Sequence, residues 1–149
     1  MGAEEKPPDE KDLLIIEILQ GNAKKSLRDI AKDVDLAPSS VRNRIDRLVG
    51  GRFIKRFTVD VDYRRLGYEI QVIVLITSRP GSSEDIYKAL KTFPEIFKVY
   101  WTSGPANFVC IVRVHDMNEL SQFMTGHLEK LEGVERVESM FMMPEPDLE

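Results

Sequence analysis

Apolar residues recur at helical spacing three times in the first third of the chain and then change period. Leu14, Ile15, Ile18 and Leu19 predict a helix from near Asp9 to Gly21, with Asp12 in its first turn. Leu27, Ile30, Ala31 and Val34 form a second stripe, and Ser26 and Asp29 ahead of it are spaced as a capping box. Val41, Ile45 and Leu48 share one face of a third helix. It starts sharply near Pro38, whose missing N–H has no intrahelical partner at a first position anyway. Only Asp35 to Ala37 remain for the turn. Gly50 and Gly51 end this helix, and the alternation in Arg52 to Val59 reads as a strand.

From Tyr68 onward the order of elements is informative. Tyr68 to Ser78 is a β-rich run, Arg79-Pro-Gly-Ser-Ser a turn, and Glu84 to Phe93 a helix striped by Ile86, Leu90 and Phe93. Ile96 to Thr102 and Asn107 to Val114 are strands separated by Ser103 to Ala106. Asp116 caps a helix with Glu119 at capping-box spacing and Leu120, Phe123, Met124, Leu128 and Leu131 inside, and Gly133 turns the chain into a strand from Val134 to Met143. The order β-α-β-β-α-β is that of a ferredoxin-like unit. The predicted class is α+β: a winged helix-turn-helix over residues 1–57, a strand linker over 58–67, and a ferredoxin-like domain over 68–149.

Two helices cover one face of such a sheet. The first strand is apolar in both phases, Ile70, Val72, Val74 and Ile76 against Ile73 and Leu75, so the open face is expected to be buried as well. Sheet-to-sheet dimerisation is the simplest way to bury it. The Met140-Phe-Met-Met143 stretch suits the same interface, a second one, or core packing.

Composition narrows the function. The 149 residues allow one domain or two small ones whose thin cores gain from mutual packing or oligomerisation. The net charge of −4 is unevenly spread: residues 21–57 carry 10 basic and 4 acidic side chains, whereas 58–149 carry 9 and 15. Positive charge is thus concentrated where phosphates would be met. The single Cys110 excludes an intrachain disulfide and a thiolate-rich zinc site, and reads as a small core residue. Apolar runs are far too short to span a membrane and the acidic N-terminus is no signal peptide, so a cytoplasmic protein is expected. Met1 to Pro8 reads as a frayed tail.

The chemistry centres on the third helix. Ser39, Arg42, Asn43 and Arg47 fall opposite its apolar face or on its flanks. Two short helices joined by about three residues are the helix-turn-helix pattern, whose second helix enters the major groove. There Arg grips guanine and Asn grips adenine by paired hydrogen bonds. The same face suits a solvated side of a small helical domain. Arg52, Lys55 and Arg56 on the predicted wing strand suit phosphate contacts, or equally an ordinary charged strand. Arg44 sits nearer the packed flank, where a phosphate or an acidic partner in its own chain fits better than a base. Asp60 and Asp62 read as exposed edge charges. His115 and His127 have no triad spacing around them and no phosphate loop is present, so neither an enzyme nor a metal or other cofactor is expected.

The ordered set Leu36-x-Pro-Ser-x-Val-x-x-Arg-Ile-x-x-Leu48, Gly51-x-x-Ile54, Leu66-Gly67-Tyr68, Gly104-x-x-Asn107 and Gly133-Val134 resembles the Lrp/AsnC (feast/famine) transcriptional regulators, from about Asp9 to Met143. The resemblance implies a sequence-specific regulator of double-stranded DNA, a homodimer often assembled into tetramers or octamers, that senses amino acids. It implies recognition residues Ser39, Ser40, Arg42, Asn43 and Arg47, with Arg28 and Arg44 also among the candidate DNA contacts. It further implies an effector cleft lined by the loop Gly104, Pro105, Ala106 and Asn107 and by Val137 and Ser139 on the last strand. The sequence departs from the family there: an amide stands in the loop where a carboxylate would pair with a ligand ammonium, and Val137 replaces a hydroxyl residue. An effector-insensitive architectural DNA binder is therefore the alternative, as is a ligand-binding scaffold, although the basic segment speaks against the latter. Ala37 stands where a capping Ser is usual, a loss of about 0.5 to 2 kcal/mol unless Ser39 or Ser40 supplies a partner.

Overall fold

Three helices form the N-terminal unit of the computed structural model, which describes residues 6–143: α1 (Glu10–Gly21), α2 (Leu27–Val34) and α3 (Pro38–Gly50). Asp9 caps α1 with its side chain on the Asp12 N–H, and the Asp12 carboxylate accepts the Asp9 N–H in return, each at 2.9 Å. Ser26 caps α2, and Asp35 at its far end adopts the left-handed conformation. Ile15, Ile30, Ala31, Val34, Val41 and Leu48 are buried together. One expectation fails in detail: Leu14 is exposed, because the inward stripe of α1 is Asp12, Ile15, Ile16 and Leu19, which puts Leu14 on the far side. Residues 1–5 of the expected tail lie outside the described residues.

The expected wing is absent. Among the described residues no strand lies between Gly51 and Glu69. Arg52 takes a left-handed φ of 56°, the Arg52 N–H bonds to the Val49 carbonyl, and the Ile54 N–H bonds to that of Leu48. The segment therefore folds back onto the end of α3 instead of extending, and among the described residues the unit holds no strand to pair with it.

The chain divides into two compact units between Asp60 and Val61, inside the expected 58–67 linker. Tyr63 belongs to the second unit, because its ring packs on Phe97 at 5.6 Å and under the Arg113 guanidinium at 3.7 Å. This unit contains β1 (Ile70–Ser78), α4 (Ser83–Leu90), β2 (Ile96–Trp101), β3 (Phe108–Val114), α5 (Met117–Gly126) and β4 (Val134–Phe141). The strands pair antiparallel in the order β2-β3-β1-β4, the split arrangement expected of a ferredoxin-like fold. The helix predicted from Asp116 ends at Gly126, and a single 3-10 turn, Leu128–Lys130, keeps Leu128 buried.

Alternation along β1 and β3 decides which face is covered. Val72, Val74, Ile76, Phe108, Cys110, Val112 and Val114 are buried with Ile86, Leu90, Leu120 and Phe123. Ile73, Leu75, Val109 and Ile111 point the other way and stay half-buried, with Tyr100 and Met140 exposed beside them. Burial pushes the Cys110 thiol up to about 12, so it remains a protonated core side chain. Gly133 is required where β4 begins: its φ is 86°, and a Cβ there would lie 2.3 Å from that of Ser82.

Candidate nucleic-acid interface

α3 buries Val41 and Leu48 and leaves the opposite arc in solvent. Ser39, Arg42, Asn43 and Asp46 are exposed, and Ser40 is half-buried. Among the described residues, Arg42 and Asn43 have no ion pair or side-chain hydrogen bond. Arg28 on α2 and the expected wing residues Arg52, Lys55 and Arg56 are also exposed, the last three in irregular chain. The N-cap Ala37 supplies no side-chain bond, and neither Ser39 nor Ser40 replaces it.

Two of the four arginines and asparagines placed on or beside this face are already engaged within the unit. Arg44 Nη1 donates to both oxygens of Asp9 and to Asp12 Oδ1, all at 2.8 Å. Of the two roles open to Arg44, phosphate contact or an acidic partner in its own chain, the structure takes the second. This corrects its place among the DNA contacts. Arg47, expected to be free and outward, has its Nη2 on Asp12 Oδ2 while its side chain stays 44% exposed. Asp12 itself is fully buried, and its side-chain oxygens are satisfied there by two guanidiniums and the Asp9 N–H. The Arg44 contact holds the Asp9 carboxyl down at about 2, and Asp9 in turn raises the Arg44 value.

In the sequence Asp9 and Asp12 read only as helix-start signals. Their spacing of three matches that of Arg44 and Arg47, so the two ladders were legible as complementary, but pairing them required knowing that α1 and α3 pack side by side. Asp46 is a further acid on the outward arc, between Asn43 and Gly50, and no sequence signal marks it.

The expected effector residues fall in two places within the second unit. The loop Gly104 to Asn107 joins β2 to β3 and is tied to the end of β1: Asn107 Oδ1 accepts the Ser78 N–H at 2.8 Å, and the Asn107 N–H bonds to the Ile76 carbonyl at 2.9 Å. Thr77 and Thr102 hydroxyls donate to the carbonyls of Pro105 and Ala106. Val137 packs on the core and Ser139 is exposed, both on β4, which flanks β1 on the side away from β3. The loop and these β4 positions are thus separated by one strand, about 10 Å across the sheet. His115 stacks on Tyr68 at 4.4 Å and pairs with Glu119. Among the described residues, no helix is long and apolar enough to cross a membrane.

Comparison with known proteins places these features. An AsnC-type helix-turn-helix domain matches residues 9–49, and the Lrp/AsnC ligand binding domain matches residues 71–148. The chain is 39% identical over 127 residues to the HTH-type transcriptional regulator FL11 of Pyrococcus furiosus, covering 84% of each sequence. Among solved structures it is similar in fold to AsnC of E. coli, with a TM-score of 0.85 at 19% identity over 97% of each chain. It is likewise similar to a transcriptional regulator from Neisseria meningitidis in complex with L-Met, with a TM-score of 0.87 at 21% identity over 93% of this chain and 92% of that one.

Proposed function

Because the chain belongs to the Lrp/AsnC family of transcriptional regulators, we propose that it regulates transcription in the cytoplasm by laying the exposed arc of α3 in the major groove of its operator. Asn43 reads a base through its amide, Ser39 and Arg42 contact bases or phosphates beside it, and Arg28, Arg52, Lys55 and Arg56 meet the backbone. The observation that carries this reading is α3 itself: its apolar residues are buried while Arg42 and Asn43 stand exposed without a partner among the described residues.

A second copy pairs on the half-buried face of Ile73, Leu75, Val109 and Ile111. A dimer offers two α3 helices to two half-sites, which in a helix-turn-helix operator lie about 34 Å apart. Further association to tetramers or octamers uses the exposed apolar end of β4, Met140 and Phe141, with Met142 and Met143 just beyond it.

The effector, if an amino acid as in the Neisseria meningitidis complex, meets an altered loop here. A backbone N–H only donates, so the atom of Asn107 facing Ser78 is its oxygen, and what remains of that side chain is an NH2 group. It offers two donors to a ligand carbonyl or carboxylate, and to an ammonium only the second lone pair of an uncharged oxygen already engaged by Ser78. The fitting effector class is therefore an acceptor-bearing small molecule whose ammonium, where it has one, is recognised by other groups.

The test is selection of bound genomic fragments with and without a panel of amino acids. A recurrent half-site pair, lost or strengthened by one ligand, supports the whole reading. Recovery of fragments without any common sequence contradicts it.

A further inference from the structure

Arg47 stands one helical turn after Asn43, so the two side chains best suited to paired hydrogen bonds with a base occupy neighbouring positions on α3. Free in solvent, a guanidinium on a long flexible stem settles on the nearest phosphate as readily as on a base. Arg47 does not have that freedom. Its Nη2 is held by Asp12, which is fully buried at the first turn of α1 and is itself fixed by the reciprocal cap with Asp9 and by Arg44.

We infer that Asp12 is a positioning residue for base recognition: it holds Arg47 by one nitrogen and leaves the remaining N–H donors of a half-exposed side chain in a fixed place for guanine. This rests on the reading of α3 as the DNA-reading helix. Three features support it. The carboxylate cannot follow Arg47 outward, since it is buried in packed structure. Removing Arg47 does not orphan it, since Arg44 and the Asp9 N–H remain. The Arg47 side chain is divided between interior and solvent, one nitrogen on the fully buried Asp12 and 44% of the side chain exposed, as a held reader must be and a wholly structural ion pair need not be. The arrangement also separates the roles of neighbouring cations on α3. Arg44 braces α1, Arg47 reads from a brace, and Arg42 is exposed without a partner among the described residues.

The experiment measures affinity for a selected operator and for a random duplex of equal length, at several salt concentrations, for the wild-type chain, Asp12→Asn, Arg47→Ala and the double variant. Asp12→Asn is expected to lower the operator-to-random ratio about tenfold, the size of one good base contact. The salt exponent should steepen by about 0.9 as the released guanidinium falls onto a phosphate. Arg47→Ala lowers the ratio similarly, and adding Asp12→Asn to it lowers the ratio no further. Parallel losses on both duplexes with an unchanged exponent would make Asp12 a packing residue and overturn the inference. If Asp12→Asn does not fold, Arg47→Ala still decides, because an operator preference that survives it leaves Asp12 nothing to position. A wild-type chain without operator preference fails the underlying DNA reading, whereas a wild-type preference retained in Asp12→Asn fails this inference alone.

Discussion

The Nη1 of Arg44 lies 2.8 Å from each carboxylate oxygen of Asp9, a residue 35 positions earlier, and this contact joins the start of α1 to the middle of α3. Asp9 is drawn from an ordinary value near 4 down to about 2 by that bond, with the Asp12 N–H adding to it. A carboxylate with a lowered folded value stabilises the fold fully above its unfolded value and loses that contribution as pH falls through the folded one. The N-terminal unit is therefore expected to lose stability between about pH 4 and pH 2, in a step that Asp9→Ala removes. Thermal melts followed by helix signal across that range check it. A melting temperature equally pH-dependent in Asp9→Ala would assign the acid step to other groups.

Ala37 has the backbone of a helix N-cap, φ −73° and ψ 147°, but nothing to offer the free N–H groups of the first turn of α3. Ala37→Ser supplies the missing acceptor without touching Arg42 or Asn43. It should stabilise by about 0.5 to 2 kcal/mol, read as a raised denaturant midpoint with an unchanged slope. Operator affinity should stay as it is. A midpoint that does not rise would mean that solvent already satisfies those N–H groups as well as a serine does.

Asn107→Asp tests the loop between β2 and β3. An aspartate keeps an oxygen on the Ser78 N–H, as Asn107 Oδ1 does now, and turns its second atom from donor to charged acceptor. Charge-assisted bonds are roughly twice as strong as neutral ones, so amino-acid binding through the ammonium should improve by about tenfold or more. Calorimetric titration of a set of amino acids against both chains measures this. Weaker binding in the variant would show that the NH2 group of Asn107 is itself the ligand contact.

The order of elements was legible in the sequence because each periodic run carries its own boundary chemistry: Pro38 at a helix start, Asp116 at a cap, Gly133 where only a residue without Cβ fits beside Ser82. What was not legible depends on partners distant in sequence. Alternation in Arg52 to Val59 matches a strand, yet a strand forms only against another, and the described residues of the first unit hold none. Leu14 looked like core because the direction of α1 is set by Asp12, a polar residue whose burial no hydrophobic pattern predicts. For the same reason Arg47 looked free. Asn43 kept the exposed place that its helical phase assigned to it.

The most direct test of α3 as the reading element is Asn43→Ala, with affinity for the selected operator and for random DNA measured side by side over a range of salt. Base reading predicts a loss of about 1 to 3 kcal/mol on the operator. Random DNA should be bound as before and the salt exponent should not change, since no phosphate contact is removed. Equal losses on both DNAs would contradict the account.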